Sequence, residues 1–285
     1  MTTAKTVGVV GLGIMGSAIS GHLLTAGFDV LGSDVDPAAV DALVARGGRA
    51  ATLADLAREA DVVVTSLPGP EAALAVCGEL GGVTVVETST LSPAVKNRCR
   101  ELIEAAGGTL LDCPISGTGA QARTRDLVVL GSGDAEVFAT VRPVLEAFAR
   151  SVQHLGAFGN GTTMKLVANL LVSIHNASTA EAFALGTAAG LDPKLLFDVI
   201  RDGAGGSVIF DKRGPLMVDR TYRPATAKVS MFLKDVALVR ELAGTVGVTT
   251  PVLDATLPLY ARAADEGWAD ADAAALFEIL RGDER

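Results

Sequence analysis

Short apolar runs rich in β-branched residues alternate with segments of helical spacing through the first half of the chain. Each run has the length and continuous apolar character of a strand buried in a parallel sheet. The predicted strands are Thr6–Val10, the run DVLGSD that ends at Asp34, Asp61–Pro68, Gly82–Thr90 and Ser151–Gly156. Helical spacing occurs in SAISGHLLTAG, SPAVKNRCRELIEAAGG and AEVFATVRPVLEAFA, and Ser92 before Pro93 is a typical helix start. The alternation predicts an α/β domain.

From Thr162 onwards the β-rich runs stop, and the pattern predicts helices only. The first of these helices extends from about Gly159 to Ala189. Further helices are predicted in GLDPKLLFDVIRDG, ATAKVSMFLKDVALVRELAGTVG, TPVLDATLPLYARAADEG and DADAAALFEILRG. The change of character at AFGNG, residues 157–161, predicts a domain boundary, with an α/β domain over residues 1–159 and an all-helical domain over residues 160–285.

Composition and charge exclude several classes of protein. The chain has 285 residues, of which 49% are hydrophobic and 20% charged, and this is typical of a compact core and not of disorder. Its net charge is −9 and it has no basic block, so we expect no nucleic-acid partner, because phosphate binding requires clustered lysine and arginine. No uninterrupted apolar segment reaches the length of about eighteen residues that suggests a membrane span, so we expect no membrane partner.

The cysteines and histidines indicate neither a disulfide framework nor a metal site. Cys77, Cys99 and Cys113 are odd in number and scattered, which is typical of free thiols in a reducing compartment and predicts a cytoplasmic location. The histidines lie far apart, and no His, Cys or Asp grouping has the spacing of metal ligands. We therefore predict no metal.

One glycine-rich segment has the spacing of a dinucleotide-binding turn. Gly11-Leu12-Gly13-Ile14-Met15-Gly16 follows the first strand, precedes a helix and is followed eighteen residues after Gly16 by Asp34. In such a turn the first glycine allows the bend, the second lets the backbone approach a pyrophosphate, and the third lets helix and strand pack closely. Asp34 would accept hydrogen bonds from the adenosine ribose and repel a 2′-phosphate, and Val35 follows it in place of an arginine. The segment therefore predicts NAD in preference to NADP.

Polar residues at the ends of later strands are expected to lie near the cofactor, because ligands bind beyond the carboxyl ends of the strands in open α/β sheets. The residues concerned are Ser66, Leu67, Pro68, Ser89 and Thr90. The connection DCPISGTGA, Asp112–Ala120, presents Ser116, Gly117 and Thr118 close together, and backbone N–H groups in such a loop can bind a carboxylate. On the residues alone, an ordinary loop remains the better explanation of this connection.

The long predicted helix carries a lysine and an asparagine on one face, in an otherwise apolar setting. Lys165, Asn169, Val172 and Asn176 share that face, given about 100° per residue. One interpretation is structural: the lysine bonds to carbonyl groups or extends along the helix to solvent. The other is catalytic: a lysine in a dry cleft has a lowered pKa and can pass a proton. The spacing alone leaves both open.

Four segments resemble the signature motifs of the β-hydroxyacid dehydrogenase family, which includes 3-hydroxyisobutyrate dehydrogenase and tartronate semialdehyde reductase. They are VGVVGLGIMGSAISGHL, DCPISGTGA, GNGTTMKLVANLL and FLKDV (Phe232–Val236), in the family's order, and the resemblance covers nearly the whole chain. It implies a Rossmann domain joined through a long interdomain helix to an all-helical domain. It also implies a homodimer or homotetramer.

The resemblance assigns roles to individual residues. Lys165 would be the general acid/base of NAD-dependent hydride transfer to and from a small β-hydroxy acid such as 3-hydroxyisobutyrate. The substrate carboxylate and hydroxyl would be held by Ser116, Gly117, Thr118 and Asn169. Thr90 and Lys234 would lie near the nicotinamide, with Asp235 supporting Lys234.

The chain departs from the family pattern at three positions. Thr118 replaces the second loop glycine and Arg125 replaces a glycine before the next strand, and both could reshape the carboxylate pocket. Val172 stands where the decarboxylating 6-phosphogluconate relatives carry glutamate, which favours simple oxidation. Two alternatives stay open: an NADPH-dependent semialdehyde or imine reductase of the same architecture, and a non-catalytic NAD-binding sensor.

Overall fold

The computed structural model describes residues 5–281 and divides into two compact units, Met1–Lys165 and Leu166–Arg285. Within the described residues, every β-strand belongs to the first unit, and the second unit consists of helices and their connections. The predicted succession of an α/β part and an all-helical part is confirmed.

A six-stranded parallel sheet organises the first unit. Its strands are β1 (Thr6–Val10), β2 (Asp29–Ser33), β3 (Arg49–Ala50), β4 (Val62–Thr65), β5 (Thr84–Glu87) and β6 (Thr109–Asp112), in the spatial order β3-β2-β1-β4-β5-β6. The order changes direction at β1, which pairs with β2 on one side and β4 on the other. A change of direction of this kind opens a crevice beyond the carboxyl ends of the strands, where ligands bind. This is the predicted Rossmann architecture.

Helices cover both faces of this sheet, which explains the continuous apolar runs of its strands. Val62, Val64 and Val86 point to one face and Val63 and Val85 to the other, and all five are fully buried. The helices of the first unit are α1 (Ile14–Thr25), α2 (Pro37–Val44), α3 (Leu53–Glu59), α4 (Pro70–Glu79), α5 (Pro93–Ala105), α6 (Gly119–Arg123) and α7 (Ala135–Phe148).

A smaller sheet follows in the same unit. It consists of β7 (Ile115–Ser116), β8 (Val128–Gly131) and β9 (Ser151–His154), with β7 antiparallel and β9 parallel to β8. The segment Asp112–Ala120, expected as a loop, therefore contains a short strand and the start of α6.

The boundary between the two units falls within one long helix, α8 (Asn160–Ala188), after Lys165. The helices that follow are α9 (Pro193–Arg201), α10 (Val208–Val218), α11 (Val229–Val246), α12 (Pro251–Ala263) and α13 (Leu276–Leu280). Their core is aromatic: Phe183 packs against Phe210, with ring centroids 5.7 Å apart, and Phe232 stacks on Tyr260 at 5.4 Å.

The sequence pattern missed some elements, among them α2, α3 and α4, and gave others the wrong extent. Helix α10 was not predicted, because glycines precede it and Pro215 lies inside it, although Ser207 caps it by accepting from the Phe210 N–H at 3.0 Å. The predicted last helix, DADAAALFEILRG, forms a 3₁₀ turn at Ala273–Ala275 and only five residues of α-helix. The strand expected over Gly82–Thr90 is limited to β5, so Thr88–Thr90 lies beyond its carboxyl end.

Candidate active site

Each glycine of the turn after β1 meets a different requirement. Gly11 has φ +84°, and a Cβ there would lie 2.2 Å from the Ser66 carbonyl oxygen. A Cβ on Gly16 would lie 1.7 Å from the Gly11 carbonyl oxygen, so only glycine allows α1 to approach the turn. A Cβ on Gly13 would meet no heavy atom within 4 Å, which leaves open space at the N-terminus of α1. These are the roles expected of a turn that receives a pyrophosphate.

Asp34 follows β2 and holds the glycine turn in place. Its carboxylate accepts from the Leu12 N–H at 2.5 Å and from the Asp36 N–H at 2.8 Å. Val35, the next residue, is fully exposed. The sequence predicted an acid at this place but not its bond to the turn that it follows in the chain.

A cavity of about 670 Å³ opens between the glycine turn and the end of β4. The residues that line it include seven of the predicted cofactor residues: Gly11, Gly13, Ile14, Met15, Asp34, Leu67 and Pro68. Their contact with a cofactor stays a prediction. The remaining wall of the cavity is mostly apolar and includes Leu53, Ala72, Ala75 and Val76. An apolar slot for a flat base, an acid for a ribose and an open helix N-terminus for phosphates suit a dinucleotide, so the residues present fit this cofactor.

Ser89 is buried and bonds to Leu67, one of the residues that line the cavity. It is 7% exposed, and its hydroxyl accepts from the Leu67 N–H at 2.8 Å. Its own N–H donates to the Glu87 carboxylate at 2.9 Å. Thr90 is partly exposed and lies just beyond Ser89, so its place beside the nicotinamide stays a prediction.

The connection after β6 has more internal structure than a simple loop. Ser116 ends β7, and the exposed Gly117 has φ +146°, in the region that favours glycine. Thr118 is the N-cap of α6, and its hydroxyl accepts from the Gln121 N–H while the Gln121 side chain accepts from the Thr118 N–H. The threonine that departs from the family pattern thus starts a helix. A role for Ser116, Gly117 and Thr118 in substrate binding stays a prediction.

The second departure has a local explanation. Arg125 has φ +58°, a left-handed conformation in which glycine is most readily accommodated. Its guanidinium donates to the Glu146 carbonyl oxygen on α7 at 2.8 Å. The expectation that Arg125 reshapes a carboxylate pocket therefore receives no support, because this side chain is bonded to α7.

A buried cluster of charges was not singled out from the sequence. Glu87, Lys96 and Asp112 are all fully buried, and Lys96 bridges the two carboxylates. Burial alone would lower the pKa of Lys96, but attraction from Glu87 and Asp112 outweighs it and holds the pKa above its usual value. The spacing could have found Lys96, because it shares the i, i+3, i+7 positions of one face of α5 with the buried Cys99 and Ile103.

Lys165 and Asn169 lie one turn apart on α8, as predicted. Lys165, the last residue of the first unit, is partly exposed. Asn169, in the second unit, is 7% exposed, and its amide donates to Asp235 Oδ2 at 3.0 Å. Lys234 is about half exposed, with its Nζ 3.6 Å from Asp235 Oδ1. The structure therefore connects Asn169 to the Lys-Asp pair of α11, a bond that sequence spacing could not reveal.

Further along α8, the polar residue on the face of Lys165 and Asn169 bonds to neighbouring elements of the second unit. Asn176 is fully buried and donates to the Tyr260 hydroxyl at 3.1 Å and to the Ala273 carbonyl at 3.0 Å. Val172 packs against the aromatic core. Val167 and Leu171, two apolar residues near Lys165 and Asn169 in the chain, are each 49% exposed in the single chain.

Residues 5–281 show no sign of a metal site or of a membrane-spanning helix. No group of three His, Cys, Asp or Glu side chains in this range lies close enough to hold a metal ion. None of the helices described combines the length and apolar character needed to cross a membrane.

Both parts of the chain match models of known protein families. Residues 6–156 match the family model for the NAD binding domain of 6-phosphogluconate dehydrogenase. Residues 159–280 match the model described as NAD-binding of NADP-dependent 3-hydroxyisobutyrate dehydrogenase.

Individual relatives match over nearly their whole length. The L-threonate dehydrogenase of Cupriavidus necator is 32% identical over 98% of this chain and 97% of its own. The NAD-dependent L-serine dehydrogenase of Pseudomonas aeruginosa is 33% identical over 94% of this chain and 95% of its own. Among solved structures, Mycobacterium tuberculosis 3-hydroxyisobutyrate dehydrogenase with L-serine has a TM-score of 0.89 and 30% identity, covering 99% of this chain and 100% of that one.

Proposed function

Since the chain belongs to the β-hydroxyacid dehydrogenase family of NAD(P)-binding oxidoreductases, we propose that it transfers a hydride between NAD and a small β-hydroxy carboxylate, with Lys165 as general acid/base. The observation that carries the proposal is the pair Lys165 and Asn169, one turn apart on α8. Lys165 is partly exposed, so a substrate can reach its amine, as proton transfer requires.

In this proposal Lys165 transfers the proton of the substrate hydroxyl. The bound nicotinamide supplies the hydride acceptor. The neutral Lys165 amine takes the proton from the substrate hydroxyl during oxidation, and the ammonium form returns it during reduction. Asn169 has two amide N–H donors, of which one is directed to Asp235, and the other donates to the substrate.

The substrate carboxylate is assigned to the connection after β6. The exposed Gly117 offers its backbone N–H, and the partly exposed Ser116 hydroxyl lies beside it in the chain. Thr118 contributes by holding the start of α6, which keeps this connection in one conformation. Lys234, whose side chain is about half exposed, supplies positive charge near the nicotinamide and the carboxylate. Thr90 completes the nicotinamide side.

NAD is the proposed cofactor, in preference to NADP. Asp34 lies at the end of β2, beside the glycine turn, and its carboxylate would repel a 2′-phosphate. The exposed Val35 offers no positive charge to offset that repulsion.

The proposed substrate class is a small carboxylate that carries a hydroxyl group on its β-carbon. L-threonate, L-serine and 3-hydroxyisobutyrate, after which the relatives are named, all have this arrangement. The direct test measures reduction of NAD⁺ and of NADP⁺ by wild-type protein with a panel of such acids. The proposal expects at least one acid to reduce NAD⁺, with kcat/KM at least about tenfold above that for NADP⁺.

Two other results would replace the proposal. Turnover only of aldehydes or imines with NADPH would indicate the reductase alternative. Tight NADH binding with no turnover on any acid, aldehyde or imine would indicate a sensor.

We also propose that copies of this chain associate as a homodimer or homotetramer in the cytoplasm. The second unit exposes large apolar side chains: Leu185 is 73% exposed, and Leu195 and Val199, one turn apart on α9, are 53% and 63% exposed. Covering these with a second copy removes apolar area from water. The three cysteines are buried free thiols, which suits a reducing compartment.

A further inference from the structure

Two carboxylates end neighbouring strands at the edge of the sheet where the cofactor cavity opens. Glu87 ends β5, Asp112 ends β6, and the two are direct partners in the parallel register. Both are fully buried, and two such charges side by side repel each other. Lys96 on α5 resolves the conflict, since its ammonium donates to Glu87 and lies 3.0 Å from Asp112 Oδ1. Buried charges are retained only when paired in this way.

Asp112 connects this buried hub, defined as Glu87, Lys96 and Asp112, to the beginning of α8. Its Oδ2 accepts from the Thr162 N–H at 2.7 Å, and its Oδ1 accepts from the Thr162 hydroxyl at 2.8 Å. Ser132, also fully buried, donates its hydroxyl to Asp112 and accepts from the Gly161 N–H at 2.9 Å. The first N–H groups of a helix have no partner within the helix and attract negative charge. Two of these groups of α8 are satisfied by the hub and its neighbour.

Lys165 follows Thr162 by three residues, which is about 4.5 Å along the axis of α8. A shift or fraying of the first turn therefore moves the base of the Lys165 side chain directly. A close approach fixes the same turn sterically, since a Cβ on Gly161 would lie 2.3 Å from the Leu130 carbonyl oxygen. The position of Lys165 relative to the sheet is thus set by polar and steric contacts within the first unit.

The other carboxylate of the hub reaches the cofactor cavity. Glu87 accepts from the Ser89 N–H, and the Ser89 hydroxyl accepts from the N–H of Leu67, which lines the cavity. One buried network therefore leads in one direction to the helix of Lys165 and in the other to the cofactor wall.

We propose that Asp112 is a positioning residue: held by Lys96, it fixes the first turn of α8 and hence Lys165, while Glu87 fixes the cofactor wall through Ser89. This inference rests on the proposed function, in which Lys165 moves the proton. An apolar cluster of the same volume would supply comparable stability, because replacing a buried ion pair by apolar residues is often neutral. What it would not supply is a directional hold on two N–H groups of α8.

The test uses Thr162→Val, because removing Asp112 itself would leave Lys96 with one partner fewer and could unfold the protein. Valine keeps the size of the side chain and the backbone bond to Asp112 but loses the hydroxyl bond. Thr162→Ser restores the hydroxyl. Thr179→Val is the matched control, since Thr179 lies on α8, is 4% exposed against 2% for Thr162, and its hydroxyl donates to the His175 carbonyl oxygen within the same helix.

If these contacts position Lys165, then Thr162→Val lowers kcat and leaves cofactor binding unchanged. We expect Thr162→Val to lower kcat about tenfold or more, since small misplacements of a reacting group are costly, with the Kd for NADH unchanged. Thr162→Ser should recover most of kcat, and Thr179→Val should retain it. Hydrogen–deuterium exchange of a peptide covering residues 160–166 should be faster in Thr162→Val than in either comparison variant.

The proposal is overturned if Thr162→Val and Thr179→Val have the same kcat, or if exchange at residues 160–166 is the same in both. Failure of the proposed function is a separate result: wild-type protein would then turn over no acid of the panel. The exchange comparison needs no turnover, so it still decides whether the hub holds the first turn of α8.

Discussion

Replacing Gly13 by alanine should separate cofactor binding from folding. Gly13 is the N-cap of α1 with φ −61° and ψ −159°, an extended backbone outside the left-handed region that favours glycine. The added methyl group would meet no heavy atom within 4 Å, so the folded chain accommodates it. The same methyl group would obstruct the cofactor, because the pyrophosphate must approach the backbone at this glycine.

The expected magnitudes differ for the two properties. Alanine restricts the unfolded chain and stabilises the protein by about 0.4–1 kcal/mol, whereas it is a poorer N-cap than glycine by roughly 0.5 kcal/mol. The free energy of unfolding should therefore stay within about 1 kcal/mol of wild type. Forcing a methyl group into space that a ligand needs costs about 1–3 kcal/mol. The Kd for NADH should accordingly rise about 5- to 150-fold.

The assay combines chemical denaturation without cofactor and titration of NADH by its fluorescence. Gly16→Ala is the matched control, because its Cβ would lie 1.7 Å from the Gly11 carbonyl oxygen and must displace α1 or the turn. We expect that variant to lose stability as well as binding. If Gly13→Ala binds NADH as wild type does, the pyrophosphate does not approach the backbone at Gly13, and the placement of the cofactor at this turn is refuted.

Three further predictions concern other parts of the chain. The double variant Asp34→Ser, Val35→Arg should shift the ratio of KM for NADPH to KM for NADH by about tenfold or more towards NADPH, because it removes a repulsive charge and adds an attractive one; an unchanged ratio would place the 2′-position elsewhere. Burial tends to raise the pKa of Glu278, but hydrogen bonds from Arg220 and Tyr222 outweigh it and hold the pKa below its usual value, so the carboxylate contributes stability above the unfolded pKa of about 4.3 that is lost as pH falls. Glu278→Gln should therefore lower the free energy of unfolding by about 1–2 kcal/mol at pH 7 and by less near pH 3, and an equal loss at both pH values would contradict this sign. The double variant Leu195→Glu, Val199→Lys should elute as a monomer in size-exclusion chromatography where wild type elutes as an oligomer, and equal elution volumes would mean that α9 is not the contact.

The Rossmann part of the fold was predictable because its strands and glycines obey short-range rules. The strand Val62–Thr65 is almost entirely apolar because both of its faces are buried. Gly11 and Gly16 are required by close contacts of the backbone, and Gly13 leaves open the space that a pyrophosphate needs. Helix α10 was missed because Pro215 and the preceding glycines weaken the local signal, while Phe210 and Met217 hold the helix through the core of the second unit. Tertiary packing decides such a segment, and one sequence does not display it.

The connections among site residues were the least predictable part. Asn169 and Asp235 are 66 residues apart, and Asp112 and Thr162 are 50 apart, so no pattern of spacing joins them. Asp112 resembled a loop residue in DCPISGTGA, although it is fully buried. The sequence also could not show that Thr118 caps α6, or that Arg125 bonds to α7 from a left-handed backbone.

The central claim is that Lys165 moves the proton during hydride transfer. Its most direct test compares kcat of wild type and Lys165→Ala with NAD⁺ and the best acid of the panel, with the Kd for NADH measured in both proteins. The account predicts that kcat falls by about 10²–10⁴, the range typical of general acid–base catalysis, while NADH binding is retained. A Lys165→Ala variant that keeps kcat within about threefold of wild type would contradict it, because general acid–base catalysis contributes far more than that.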